Sequence, residues 1–117
     1  MSINIGMVTF DTTDAVALAN WWAKVLDGKA TDGSGGWFVM VESEGNPNLG
    51  FQKIEDPTPG KNRLHLDMSG SDYAKAVDRL QSLGAELVAE HKEEFGTWTT
   101  FADPDGNQFC VANMASF

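Results

Sequence analysis

The spacing of apolar residues changes along the chain, and each change marks an element. From Ile3 to Phe10 the strand formers Ile3, Ile5, Val8 and Phe10 predominate, with Gly6 as a weak point. Asp11-Thr12-Thr13-Asp14 then offers helix N-caps. Ala15, Leu18, Ala19, Trp22, Val25 and Leu26 follow at steps of three and four, the stripe of an amphipathic helix. Gly28, free to turn left-handed, is expected to stop it. Residues 29–31 suggest an edge strand. A Gly/Ser/Asp turn at 32–36 precedes an apolar strand over 37–41, a turn at 44–48 and a short strand over 49–54. Asp56-Pro57-Thr58-Pro59-Gly60 can continue neither a helix nor a central strand.

The same order then repeats. A strand is predicted over 63–68, with His65 alternating between Leu64 and Leu66, and Ser69-Gly70-Ser71-Asp72 is placed to cap a helix. Tyr73, Ala76, Val77, Leu80 and Leu83 form its stripe, and Gly84 ends it. Strands are predicted over 85–89, 96–102 and 108–112, the last two joined by the turn Asp103-Pro104-Asp105-Gly106-Asn107. Glu90-His91-Lys92-Glu93-Glu94 is expected to be a solvated loop or strand end. A shift of 58 residues lays Asp14 on Asp72, Val8 on Leu66, Phe10 on Met68 and Phe51 on Phe109. The pattern predicts one α+β domain, 1–117, made of two βαβββ modules: module one at about 1–56, a connector at 56–62, and module two at about 63–117.

Composition narrows the partners. The 117 residues are 42% hydrophobic, enough for a packed core, and carry a formal net charge of −9, which disfavours nucleic acid. No apolar run is long enough to cross a membrane, and residues 1–7 lack the basic and apolar regions of a signal peptide. One cysteine, Cys110, excludes an internal disulfide and fits a reducing, cytoplasmic compartment. Hydrolase elbows, phosphate loops and Cys-x-x-Cys motifs are absent, and residues 103–107 are too short for an EF-hand and lack its glutamate.

Five segments carry a family resemblance: Gly6-Met7-Val8-Thr9-Phe10 before Asp14, Trp21-Trp22 with Leu26 and Gly28, Leu49-Gly50-Phe51-Gln52, Lys61-Asn62-Arg63-Leu64-His65-Leu66-Asp67, and Phe101-Ala102-Asp103-Pro104-Asp105-Gly106-Asn107. The last is the most specific. Nearly the whole chain resembles the vicinal oxygen chelate superfamily of glyoxalases, bleomycin-resistance proteins and extradiol dioxygenases, and within it the small glyoxalase-like domain proteins. The resemblance implies curled mixed sheets around a shared cavity, and a homodimer. In metal-dependent members four ligands hold a divalent ion. The matching positions here are Met7, Gln52, His65 and Cys110. A thioether and a thiol at two of them, with no carboxylate at any, do not suit a Mn, Fe or Ni ion. No metal and no cofactor is therefore expected.

The remaining candidates have two readings each. His65 is either a ligand-binding or proton-moving group on a cavity floor, or a hydrogen-bonded core histidine. Cys110 is either a nucleophile assisted by His65 or a buried small hydrophobe. Trp37, Phe38, Trp98 and Phe101 either stack a planar ligand or belong to the core. Lys61 and Arg63 either meet an anionic ligand or are solvated surface. The sequence thus points to a metal-independent protein binding a small molecule through Met7, Trp37, Gln52, His65, Trp98 and Cys110, sequestration of a toxic or antibiotic compound being one version. A lyase or isomerase with a non-standard site, using His65 and Cys110, is the alternative. A structural or partner-binding module is the third.

Overall fold

Two runs of the same element order make up the computed structural model, which describes residues 5–116. In module one, β1 (Met7–Thr12), α1 (Ala15–Leu26), β2 (Lys29–Asp32), β3 (Phe38–Glu42) and β4 (Asn48–Lys53) form a sheet of order β1-β4-β3-β2 with one helix. In module two, β5 (Asp67–Ser69), α2 (Tyr73–Ser82), β6 (Glu86–Glu93), β7 (Gly96–Ala102) and β8 (Gln108–Asn113) form a sheet of order β5-β8-β7-β6, followed by a 3₁₀ turn, Met114–Ser116. In each, the first strand runs parallel to the last and the other pairs are antiparallel. The chain divides into compact units between Pro59 and Gly60.

Alternation decides which face is core. In module one Val39, Val41, Leu49 and Phe51 are buried, as are Ala15, Leu18, Ala19 and Trp22 of α1, the helix that packs on β3 and β4. Phe10 stacks on Phe51 at 5.0 Å and leans on Trp22 at 5.7 Å. Trp21, half-buried, meets Trp22 edge-on. In module two Phe101, Phe109, Val111 and Leu80 are buried, and Tyr73 of α2 shares a hydrogen bond with the buried Thr99. Phe101, read as a possible ligand platform, belongs to this core.

The helix starts agree with the expected caps. The Asp14 carboxylate accepts from the Ala17 N–H, and the Asp72 carboxylate from the Lys75 N–H, each at 3.1 Å. The α1 stop differs. Asp27 takes the left-handed conformation, φ 50°, and Gly28 has another task. A Cβ at Gly28 would stand 2.5 Å from the Glu42 carbonyl oxygen, so only glycine lets the chain pass this close to β3.

Three strand expectations shift. β1 occupies Met7–Thr12, because its pairing with Asn48–Lys53 continues through Asp11 and Thr12; Ile5 and Gly6 precede it, and Ile3 lies outside the described residues. The strand expected over 63–68 is only Asp67–Ser69. His65 lies before it, in a segment tied to β8 by a side chain: the Asn62 amide accepts from the Gln108 N–H at 2.7 Å and donates to the Gln108 carbonyl at 3.0 Å. The strand expected over 85–89 is Glu86–Glu93: residues 90–93, expected to be a solvated loop or strand end, are its paired end, and β6 and β7 meet in a tight hairpin at Glu94 and Phe95. β6 is the sheet edge, where charged side chains reach solvent.

The Asp103–Asn107 turn is a structural device. Asp103 is buried, and its carboxylate accepts from the Asp105 N–H, the Asn107 N–H and the Asn107 side-chain amide, each at 2.9 Å. Substituting Asp103→Ala orphans these donors and should cost roughly 2–3 kcal/mol of unfolding free energy. Trp22→Ala, which empties the module-one core, should cost about 3–5 kcal/mol, and Trp21→Ala clearly less. Urea denaturation of the three variants checks both.

Candidate functional site

Opposite the core, the second face of the module-two sheet lines a cavity of about 790 Å³. Period two puts it there. Phe109 and Val111 of β8 point into the core, so Gln108, Cys110 and Ala112 point the other way. Trp98 lies across from Ala112, and Thr100 across from Cys110. All five line the cavity, as do Lys61 and the pair His65 and Asp67.

One wall is aromatic. His91 stands opposite Trp98 in the β6–β7 register, with ring centroids 4.8 Å apart and planes 17° from parallel. Phe95, in the hairpin loop, stacks on the Trp98 ring as well, at 5.6 Å. Phe95 is 66% exposed, so the platform ends in an open apolar edge. Neither His91 nor Phe95 was singled out in the sequence. The signal that reveals them is the tight turn at Glu94 and Phe95: once the hairpin is set there, His91 must face Trp98.

The polar end gathers around Cys110. The His65 Nδ1 and an Asp67 carboxylate oxygen are 3.0 Å apart. One ligating atom each from His65, Asp67 and Cys110 lie within 4.8 Å of one another. The Cys110 Sγ also contacts the Thr100 hydroxyl at 3.4 Å. Cys110, read as either a nucleophile or a buried small hydrophobe, is partly exposed and lines the cavity. His65 is no core histidine, being exposed with its Nδ1 on Asp67.

Asp67 is the residue the repeat conceals. In module one Gln52 pairs with Asp11. A 58-residue shift predicts Cys110 opposite Ser69, whereas Cys110 pairs with Asp67 and its N–H donates to the Leu66 carbonyl at 2.9 Å. The pairing is displaced by two residues. A displacement of two keeps every side chain on its face, so the core is unchanged while a carboxylate replaces a hydroxyl beside the thiol.

Of the six side chains expected to meet at one site, His65, Trp98 and Cys110 share this cavity. The other three belong to module one. Met7 pairs with Asn48 and Gln52 with Asp11, four residues apart along the sheet, about 13 Å. Met7 and Phe38 close over Gly50, where a Cβ would stand 3.0 Å from the Met7 sulfur and 2.7 Å from the Phe38 ring. Trp37 is exposed and holds the Lys53 ammonium 5.2 Å above its ring.

The donor chemistry does not suit the oxygen-loving divalent ion of the metal-dependent relatives. Met7 brings a thioether, Cys110 a thiol, and Gln52 only a neutral amide. His65, Asp67 and Cys110 offer three donors of a kind suited to a more thiophilic ion, with one nitrogen of His65 already engaged by Asp67 at 3.0 Å.

Comparison with solved structures gives the same fold. A glyoxalase/bleomycin resistance protein/dioxygenase family enzyme from Burkholderia phytofirmans superimposes with a TM-score of 0.77 at 20% identity, covering 92% of this chain and 95% of its own. A mutant of the fosfomycin resistance protein FosX from Listeria monocytogenes, solved with Mn(II) and 1S,2S-dihydroxypropylphosphonic acid, gives 0.78 at 16% identity, with 96% and 90% covered. TnmS3, an antibiotic binding protein from a Streptomyces species, gives 0.72 at 19% identity, with 96% of this chain and 97% of its own covered. None of the curated protein sequences matches. The family model described as glyoxalase-like domain matches residues 7–112. With that match spanning almost the whole chain and both sheets built as described, this protein belongs to the glyoxalase-like domain family.

Proposed function

We propose that this protein binds a planar small molecule, without a metal, in the aromatic-walled cavity of module two. The observation that carries the reading is the stack of His91, Trp98 and Phe95 along one side of a cavity of about 790 Å³. Such a volume suits a drug-sized ligand, and an apolar wall facing a few polar groups is the usual build of such a site. The Trp98 and Phe95 rings supply aromatic contact, Phe95 being the exposed one. Lys61, Gln108 and the His65–Asp67 pair supply the polar contacts that orient the guest. Sequestration of a toxic or antibiotic compound fits this arrangement, and TnmS3 and FosX, with their antibiotic-related names, are similar in fold. The reading keeps the protein in a reducing compartment, where the single thiol stays free, and expects a homodimer in sedimentation.

A second reading, a lyase or isomerase of the family, is favoured by Asp67, which gives His65 a carboxylate partner. Turnover of the methylglyoxal–glutathione adduct, with and without added Ni²⁺ or Zn²⁺, tests it; activity lost in His65→Ala would support it, and activity unchanged there would reject the site.

For the binding reading, acridine, phenazine and naphthalene-2-sulfonate are suitable probes. At least one should quench tryptophan fluorescence saturably and raise the melting temperature. Trp98→Ala should weaken that affinity roughly tenfold, about 1.4 kcal/mol. Prior treatment with a chelator should leave the affinity unchanged. No saturable binding of any probe would reject the reading, and loss of binding on chelation would reject metal independence.

A further inference from the structure

The polar end of the cavity holds more than binding requires. Cys110 stands among groups suited to moving its proton. The Nδ1 of His65 is engaged by Asp67 at 3.0 Å, which fixes the ring and leaves its other nitrogen to accept a proton. The sulfur lies within 4.8 Å of ligating atoms of both, and the Thr100 hydroxyl, 3.4 Å away, can donate to it as negative charge develops. Strand alternation holds this thiol at the cavity wall, since Phe109 and Val111 on either side are locked in the core. A carboxylate, an imidazole and a thiol in sequence are the parts of an assisted cysteine nucleophile.

We infer that Cys110 is a nucleophile that adds covalently to a soft carbon electrophile, an α,β-unsaturated carbonyl compound with a planar ring, held in the module-two cavity. This rests on the small-molecule reading and deepens it. A thiol prefers a polarisable carbon. Trp98 and Phe95 take the ring, and Lys61 and Gln108 on the cavity wall offer donors to the carbonyl oxygen. In the step, the Cys110 S–H proton passes to the His65 imidazole and the sulfur forms a bond to the β-carbon. The carbon–carbon π pair moves toward the carbonyl. The imidazolium then returns the proton to the α-carbon. The product is a thioether, with no net change of oxidation state and no co-reactant. Asp67 is a positioning residue, acting through His65.

The test compares N-phenylmaleimide with N-ethylmaleimide, adduct formation being followed by intact mass. The chain has one cysteine, so a single adduct reports Cys110. Cys110 should add N-phenylmaleimide at least about tenfold faster than N-acetylcysteine does at the same pH. His65→Gln and Asp67→Asn should each remove most of that advantage, and Asp67→Glu should restore part of it. Trp98→Ala should slow N-phenylmaleimide by a larger factor than N-ethylmaleimide. N-phenylsuccinimide, the saturated analogue that cannot react, should bind the wild type, and the loss of addition rate in His65→Gln and Asp67→Asn should exceed any loss of its affinity in the same variants. His65 and Asp67 are exposed, so these substitutions leave the core intact. Binding of N-phenylsuccinimide with addition no faster than to N-acetylcysteine would overturn the inference and leave the binding reading standing. Equal rates in wild type, His65→Gln and Asp67→Asn would also overturn it. So would stoichiometric zinc retained by the purified protein and lost in Cys110→Ser. Absence of any binding, including that of the polycyclic probes, would remove both.

Discussion

In each module the first strand is held parallel to the last, and everything else about the sheet follows from that pairing. A parallel pair cannot be closed by a tight turn, so the chain must leave the sheet, cross by a helix, and return. The helix comes to rest on one face and makes that face the core. The opposite face is left free for side chains that need not pack. In module two the second face is where Cys110, Trp98 and Thr100 stand, each one strand position from a buried neighbour. Site and core are thus two sides of one alternation.

The register of that pairing matters as much as its direction. Module two is displaced by two residues relative to the 58-residue repeat. A one-residue displacement would have turned the core outward; two residues leave it intact and change only which groups meet. Here the change sets a carboxylate beside a thiol. The Asn62 amide supports it by matching the Gln108 N–H and carbonyl as a strand would, so the segment carrying His65 runs beside β8 without being part of the sheet. Family members that hold a metal can share this framework while these side chains do different chemistry, because donor identity, not the fold, decides what a cavity of this kind accepts.

The aromatic wall arises from a third constraint, the hairpin at Glu94 and Phe95. Charged residues along β6 would normally argue against a strand. They are tolerated because β6 is the sheet edge and water reaches it. The hairpin then fixes His91 over Trp98 and leaves Phe95 stacked at the tip. One short turn therefore converts three residues of unremarkable spacing into a continuous platform.

Much of this was legible in the chain itself. Helix periodicity at Leu18, Trp22 and Leu80, caps at Asp14 and Asp72, and the Asp103–Asn107 turn are local signals, set by backbone geometry and short-range hydrogen bonding. With the repeated element order they determine the α+β class; it is the family resemblance that marks His65 and Cys110, and Trp98 stands out as an aromatic on a strand. The meeting of Asp67 with Cys110, the matching of Asn62 to Gln108 and the facing of His91 and Trp98 were decided only by tertiary structure. Each depends on register between separate strands or segments, and a two-residue slip costs the hydrophobic pattern nothing. For the same reason Met7 and Gln52, equivalent to His65 and Cys110 by sequence shift, stand four positions apart on their own sheet. Periodicity determines which face a side chain takes; only the paired backbone determines its neighbour.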